Sequence, residues 1–281
     1  MIAFPVIVAV LVTWIQGGFS WVADRLSGGP AIRVEVQKPA RQASADPKAQ
    51  ERAEASGVQV LQNFPLCPWT VWTVLRSPEA LGEPPATEIG AEPEEWKRNR
   101  YTGDANYTRV VLMVSPSEGK TVRIEKVSLR ILRRAPAPRT GEASVVALNN
   151  GQCGGEPETV TAHAVLDGDL PLVPVVPDKN SKEKFPQVVG EGGLDIDIIA
   201  ATAECDCTWV PEITWSMDGE TRTTQYFHHG IPYRTIPAKK YHRFAWKLKG
   251  KGAAGLYGWR PVRFDESLLE LDPDLLRVRG Q

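Results

Sequence analysis

The chain has 281 residues, with 33 Lys and Arg against 34 Asp and Glu, for a formal net charge of -1. Such a balance lacks the basic excess that binding to phosphate backbones requires, so nucleic acid is not an expected partner. The 24 Gly and 23 Pro are scattered without a period, which excludes collagen-like and other low-complexity repeats and is typical of a loop-rich β protein.

The first 22 residues are almost wholly apolar, and the first charged side chain is Asp24. If these residues form a helix, its rise of about 1.5 Å per residue is enough to cross roughly the 30 Å hydrocarbon core of a bilayer. We therefore predict one transmembrane anchor over residues 1–23. A signal peptide cut near the small residues Gly18 and Ser20 is the alternative, but no basic residue precedes the apolar run and the run is long for a signal peptide. A buried core helix is a further alternative, but such a helix would normally show a polar face and this run shows none.

Two signals disagree about the orientation of this anchor. Basic residues follow the apolar run and none precedes it, which by the positive-inside rule favours a cytoplasmic main domain. The four cysteines form an even set without metal-type spacing, which favours disulfides in an oxidising compartment. We favour the extracytoplasmic orientation. The four basic residues are Arg25, Arg33, Lys38 and Arg41.

Residues 24–57 are polar and rich in Ala, and few of their side chains could be buried in a core. We predict a linker or stalk here, which at about 3 Å per extended residue would hold the folded region tens of ångströms from the bilayer.

The remainder, residues 58–281, consists of short alternating runs separated by turn residues. This pattern predicts a mainly β domain, an antiparallel β-sandwich of immunoglobulin-like or jelly-roll-like type. The alternation slips between Ile124 and Val127, which indicates a bulge. The acidic, Pro-rich segment 77–100 is predicted as a surface loop with at most a short helix near 92–99. The predicted strands are 58–64, 69–75, 107–115, 121–132, 143–148, 160–166, 194–203, 208–216, 221–228 and 239–248.

The run at 208–216 places Trp209, Ile213 and Trp215 on one face of a strand, since even separations share a face. Core packing is the favoured role of this face, and the alternative is an exposed aromatic face of Trp209 and Trp215 that binds sugar rings. Pro211 lacks a ladder donor and predicts an edge or bulged strand. The dipeptide Asp218-Gly219 predicts a two-residue hairpin turn.

A set of spaced residues in the C-terminal half resembles a known kind of protein. CDCTW at 205–209 is followed by Glu212, Trp215, Gly219 and GIPYRT at 230–235. This arrangement resembles the ectodomain endings of membrane-anchored proteins from high-GC Gram-positive (actinobacterial) bacteria, which have no assigned activity. The resemblance covers residues 105–245 and implies a short cytoplasmic part, one span and an external β domain.

The cysteines are the disulfide candidates of this chain: Cys67, Cys153, Cys205 and Cys207. Cys205 and Cys207 face the same way in a strand, and a bond between them would close a small strained ring. We therefore expect two disulfides, one from each of these cysteines to Cys67 or Cys153. A zinc site is the weaker alternative, because CxC is not the usual CxxC knuckle and no Cys or His pair completes it.

No residue set predicts a catalytic, cofactor or metal site. The pattern at 115–121 has Val114 where a phosphate-binding loop needs Gly, and hydrolase, zincin and dinucleotide motifs are absent. Adjacent histidines in a strand point to opposite faces, so His228 and His229 are expected at the surface, as is His242. Two D-x-D pairs, formed by residues 167 and 169 and by residues 195 and 197, are expected as solvated strand ends rather than Ca²⁺ ligands.

These features lead to one main functional hypothesis and two alternatives. The main hypothesis is a membrane-anchored extracytoplasmic β domain, non-enzymatic and without a cofactor, that binds a protein or cell-envelope ligand. The first alternative is an envelope hydrolase or metal-dependent enzyme that uses Asp195, Asp197 or His228. The second is a membrane-tethered cytoplasmic regulator, which follows from the basic flank of the anchor.

Overall fold

The computed structural model describes residues 58–63, 69–84, 101–149, 160–177, 184–228, 230–238, 241–251 and 256–270. In these ranges no helix is both long enough and apolar enough to cross a membrane. The predicted anchor and linker at 1–57 lie outside the described residues, as do Cys67, Cys153, His229 and the predicted helix near 92–99. The anchor therefore stays a prediction.

The described residues are mainly β and form sixteen strands, a short helix α1 (Pro78–Leu81) and a 3-10 turn (Glu266–Leu269). The strands are β1 (Val58–Asn63), β2 (Trp69–Val74), β3 (Thr102–Ala105), β4 (Tyr107–Pro116), β5 (Val122–Pro136), β6 (Ser144–Asn149), β7 (Val160–Val165), β8 (Leu172–Pro174), β9 (Val176–Pro177), β10 (Gln187–Val189), β11 (Leu194–Ala201), β12 (Cys205–Met217), β13 (Glu220–Gln225), β14 (Tyr233–Ile236), β15 (His242–Lys251) and β16 (Tyr257–Val262).

The strands are arranged in two sheets. The smaller sheet has the order β1-β4-β11-β7-β9, and the larger has the order β10-β5-β12-β14-β3-β2-β6-β15-β16, with β13 paired to β12 and β8 paired to β5. One cluster of buried side chains draws on both sheets, from Val110 and Leu112 of β4 and Ile198 of β11 to Leu129 of β5 and Ile213 of β12. The two sheets thus share a core, which is consistent with the predicted β-sandwich.

The expectation of a purely antiparallel arrangement is wrong. Three strand pairs among the described residues are parallel, namely β7 with β11, β3 with β14 and β6 with β15. A parallel pair needs a long crossover connection, and β6 and β15 are separated by most of the C-terminal half of the chain. The alternation of apolar residues is a local signal and carries no information about such a distant partner.

All ten predicted strands are present, with bounds shifted by a few residues. The bulge between Ile124 and Val127 is confirmed, because Thr214 of β12 lies opposite Lys126 while Trp215 lies opposite Ile124, which leaves Glu125 as the extra residue. The short strands β3, β8, β9, β10, β14 and β16 were not predicted, since their few residues show no clear period.

Strand β12 is neither an edge strand nor the bulged member of its pair, contrary to the prediction from Pro211. It lies between β5 on one side and β13 and β14 on the other. β14 pairs with residues up to Trp209 and β13 with residues from Glu212 onward, so Pro211 falls in the gap between these two partners. Its missing N–H therefore removes no bond to either strand, while its carbonyl accepts from the Tyr226 N–H at 3.0 Å.

Candidate binding site

Alternation along β12 gives the strand two chemically different faces. The core face carries Cys205, Cys207, Trp209, Ile213 and Trp215, all of which belong to the cluster shared by both sheets. The intervening residues face away from the smaller sheet and form part of what we call the outer face of the larger sheet. These residues are Asp206, Thr208, Val210, Glu212, Thr214 and Ser216.

Both tryptophans of β12 are buried, with Trp209 0% and Trp215 1% exposed. The Trp209 Nε1–H donates to the Thr235 hydroxyl at 2.9 Å, and its ring stacks on Tyr233 at 4.9 Å between ring centroids. The Trp215 Nε1–H donates to the Thr224 hydroxyl at 2.9 Å. The alternative of an exposed aromatic face at Trp209 and Trp215 is therefore wrong, and these rings do the core packing that their spacing favoured.

The CDC cysteines are joined to each other, with 5.4 Å between the Cα atoms of Cys205 and Cys207. The expected pairing of each with Cys67 or Cys153 is wrong, because Cys205 and Cys207 are bonded to each other. The separation of their Cα atoms lies within the range that a disulfide spans. The bonded sulfurs are buried beside the carbonyl of Leu166.

The turn before β12 is held by the carboxylate of Asp167. This carboxylate accepts the backbone N–H groups of Ala203 and Glu204 at 2.8 and 3.0 Å and the Thr202 hydroxyl at 2.7 Å. The expectation that Asp167 is simply a solvated strand end is wrong. Its bonds fix the entry of the chain into β12 and so help to place the Cys205–Cys207 pair.

On the outer face, the carboxylate of Asp206 is buried between two arginines. The Arg234 guanidinium donates to it twice, from Nε at 2.7 Å and from Nη2 at 2.6 Å. The Nη1 of Arg133 lies 3.6 Å from the same carboxylate. The side chain of Asp206 is only 5% exposed, against 51% for Arg133, so a negative charge lies below a positive one.

A second buried carboxylate lies further along the same face. Glu212, 6% exposed, accepts from the Arg130 Nε at 2.5 Å and from the Gln225 amide at 2.9 Å. Burial alone would raise the pKa of Glu212, but the hydrogen bonds from Arg130 and Gln225, with the charges of Arg130 and Lys126, bring that pKa below its ordinary value. Glu212 is thus held as a carboxylate.

The outer face of β5 carries four basic residues, which we call the basic row: Arg123, Lys126, Arg130 and Arg133. Opposite them on β12 lie Ser216, Thr214, Val210 and Thr208. Ser128, opposite Glu212, takes the position in the middle of the row. Two bulges in β5, at Glu125 and Leu132, bring all four basic side chains to this face. Strict alternation would have placed Lys126 and Arg130 on the opposite face from Arg123 and Arg133.

Three members of the basic row are exposed and Arg130 is partly exposed, while two of the acids beside the row are buried. Arg123 and Arg133 are 54% and 51% exposed, and Lys126 is also exposed. With Arg234, the described residues of this region of the face carry five basic and three acidic side chains. The three acidic residues are Asp206, Glu212 and Glu125, the last of which lies 3.4 Å from Arg123. The region presents a positive surface on a chain whose overall charge is close to zero.

The remaining candidate residues do not converge with this face. Asp195 and Asp197 lie on β11 of the smaller sheet. Asp197 is buried and accepts from the Arg109 Nη2 at 2.6 Å and Nε at 3.0 Å, so it is not a solvated strand end. His228 lies after β13, with its ring 6.3 Å from that of Tyr233. Over the described ranges, no group of three or more His, Cys, Asp or Glu side chains is placed to hold a metal ion.

The basic row was not predicted from the sequence, although three of its four residues lie in the run 121–132 that was predicted as a strand. The slip of the apolar pattern between Ile124 and Val127 was a sequence signal for the first bulge. Each bulge shifts the outward-facing positions by one residue, so this slip indicates which basic side chains share a face. The second bulge, at Leu132, had no such marker and is visible only in the register with β12.

The comparisons with known proteins add no further constraint on this site. Neither a protein-family model, nor a curated protein, nor a solved structure matches the chain. The resemblance to actinobacterial ectodomains therefore stays a prediction.

Proposed function

We propose that this chain is a membrane-anchored extracytoplasmic β domain that binds a cell-envelope component without catalysing a reaction. The observation that carries the proposal is the exposed basic row on the outer face of the larger sheet, next to the buried carboxylates of Asp206 and Glu212. A surface of this kind attracts anionic ligands, because its compensating charges are withdrawn from solvent while the basic groups remain accessible.

The fold suits a binding role. We propose that the two sheets form a β-sandwich of the general kind found in immunoglobulin-like and jelly-roll binding domains, adapted here by parallel strand pairs. The core shared by both sheets supports this proposal. Side chains that project from paired strands are held more firmly than side chains on loops, so they present a ligand with a fixed pattern of charges.

The enzyme alternative is less well supported by the arrangement of its candidate residues. Asp195 and Asp197 lie on the smaller sheet, whereas His228 packs beside Tyr233 of the larger sheet. The carboxylate of Asp197 is occupied by Arg109. General acid–base catalysis needs groups that converge on one substrate atom, and these side chains are distributed over separate elements.

The cytoplasmic alternative differs from the proposal in redox compartment. Disulfides persist in oxidising compartments and are rare in the cytosol, so the Cys205–Cys207 bond supports an external location. A tagged full-length chain in intact cells should be cleaved by added protease within the folded region. Protection until the membrane is permeabilised would support the cytoplasmic alternative instead.

The binding function is tested by sedimentation of the full-length chain, kept in non-ionic detergent, with purified actinobacterial cell walls. We expect the chain to sediment with the walls at low salt and to be released as salt increases, because screening weakens attraction between exposed charges. A chain that stays in the supernatant at every salt concentration would contradict the proposal.

A further inference from the structure

We propose that the basic row binds a linear polyanion whose charges are phosphodiester groups repeated along its backbone. This inference depends on the proposed envelope-binding function and specifies the ligand chemistry for it. The ligand would lie along β5, in contact with Arg123, Lys126, Arg130 and Arg133.

The spacing of the row suits a repeating ligand. Its register partners on β12 are residues 216, 214, 212, 210 and 208, which are two residues apart. Successive outward positions on a strand are therefore about 7 Å apart, and the five positions span about 27 Å. Four positions are basic, and the central one is Ser128, which is uncharged and buried. An extended phosphodiester chain whose charges repeat about every 7 Å would match the spacing of these positions.

The ion pairs with Glu212 and Asp206 leave the arginines of the row able to bind phosphate groups. A guanidinium carries five N–H donors, so Arg130 retains donors after its bond to the Glu212 carboxylate. Asp206 is already held by two bonds from Arg234, so the more distant Arg133 at 3.6 Å is not needed to neutralise it. Arginine suits phosphate in particular, because its planar fork matches two phosphate oxygens.

The neighbouring residues favour a polymer without bases over nucleic acid. The positions beside the row on β12 and β13 include four hydroxyl residues, Thr214, Ser216, Thr221 and Thr223. In the described part of this region, no aromatic ring occupies a position in register with the row, whereas proteins that bind single-stranded nucleic acid stack bases on such rings. Hydroxyl groups can instead donate to phosphate or sugar oxygens of a polyol phosphate chain.

The inference is tested by titrating the full-length chain in non-ionic detergent with short poly(glycerol phosphate) chains. The variant Lys126→Gln/Arg133→Gln removes two charges of the row and leaves Asp206 paired with Arg234 and Glu212 paired with Arg130. We expect about a tenfold or greater increase in Kd. The slope of log affinity against log salt should decrease in magnitude by about 1.5, since each lost phosphate contact reduces that magnitude by about 0.7 to 0.9. The matched control Arg260→Gln/Arg263→Gln removes two exposed charges away from the row and should change Kd less than twofold.

The outcomes separate this inference from the proposed function. Equal effects of the two double variants, or equal affinity for poly(glutamate) chains of similar length, would overturn the phosphodiester assignment. Preferential binding to phosphatidylglycerol in mixed micelles over the polymer would overturn it in favour of a lipid surface. If the polymer does not bind but cell walls still retain the chain, the inference fails and the envelope-binding function stands. If neither binds, both fail.

Discussion

At the scale of single residues, hydroxyl groups and arginines satisfy the polar atoms that the strands carry into buried positions. The hydroxyl of Thr235 is shared between the Trp209 indole and the hydroxyl of Thr108, at 2.9 and 2.7 Å. Arg234 and Arg130 neutralise the carboxylates of Asp206 and Glu212. The residue types at these positions could be read from the chain, but these long-range partners could not, because Thr108 and Thr235 lie 127 residues apart.

The substitution Thr235→Val should destabilise the fold by about 1 to 3 kcal/mol. Valine has a similar shape but offers no acceptor, so the buried Trp209 N–H is left without its hydrogen bond. Urea unfolding followed by tryptophan fluorescence measures this loss. The control Thr223→Val removes an exposed hydroxyl 3.4 Å from that of Thr214 and should change the free energy of unfolding by less than about 0.5 kcal/mol. Similar losses in both variants would refute the role of Thr235.

The substitution Glu212→Gln should weaken the acid dependence of stability. The pKa of Glu212 is lowered in the folded state from its ordinary value of 4.5, so its contribution is present above that value and is lost as the pH falls through the folded-state pKa. The free energy of unfolding of the unsubstituted chain should therefore fall more steeply below pH 4.5 than that of the variant. The control Glu191→Gln changes an exposed residue and should keep the steep pH dependence. If the free energy of unfolding of Glu212→Gln fell as steeply with pH as that of Glu191→Gln, the role of Glu212 would be refuted.

At the scale of elements, the chain could predict strands but only some of their partners. The turn at Asp218-Gly219 is confirmed as a two-residue hairpin, with Met217 opposite Glu220 and φ angles of 52° and 82° at its central residues. The bulge at Glu125 is confirmed for the same reason, since both signals are local. The pairing of β12 with β14 and of β6 with β15 depends on contacts between distant segments, which a local apolar pattern does not encode.

The substitution Gly219→Ala should destabilise the β12–β13 hairpin by about 1 to 2 kcal/mol. A side chain at this left-handed φ is strained even though the surrounding space is open. The free energy of unfolding in urea measures the change. Gly190→Ala is the matched control, because Gly190 also has open space around it and lacks a left-handed φ. The account would be wrong if the two variants were equally stable.

At the scale of the whole molecule, the two sheets share a core, and the basic row is found on the outer face of the larger sheet. The coarse description of a mainly β domain followed from alternation along the chain. The binding surface did not, because it requires β5 and β12 to be neighbours and two bulges to be in place. Fold class is thus visible in local periodicity, whereas this candidate site arises from the register between strands.

The state of Cys205 and Cys207 in the isolated chain gives a further prediction at this scale, because disulfides persist mainly in oxidising compartments. Mass mapping of chain isolated under non-reducing conditions should yield a fragment that contains Cys205 and Cys207 and is lighter than its reduced form by two hydrogen atoms. A fragment cross-linked to the peptide of Cys67 or Cys153 would refute the observed pairing. Free thiols at both positions would instead favour the cytoplasmic alternative.

We propose that the outer face of the larger sheet attaches the domain to the cell envelope. The most direct measurement compares cell-wall sedimentation of full-length Lys126→Gln/Arg133→Gln with that of full-length Arg260→Gln/Arg263→Gln, at equal protein concentration and salt. The two variants have the same net charge, so the comparison tests where the charge was removed. We predict that the first loses most of its retention on the walls while the second sediments like the unsubstituted chain. Equal retention of the two variants would contradict the claim.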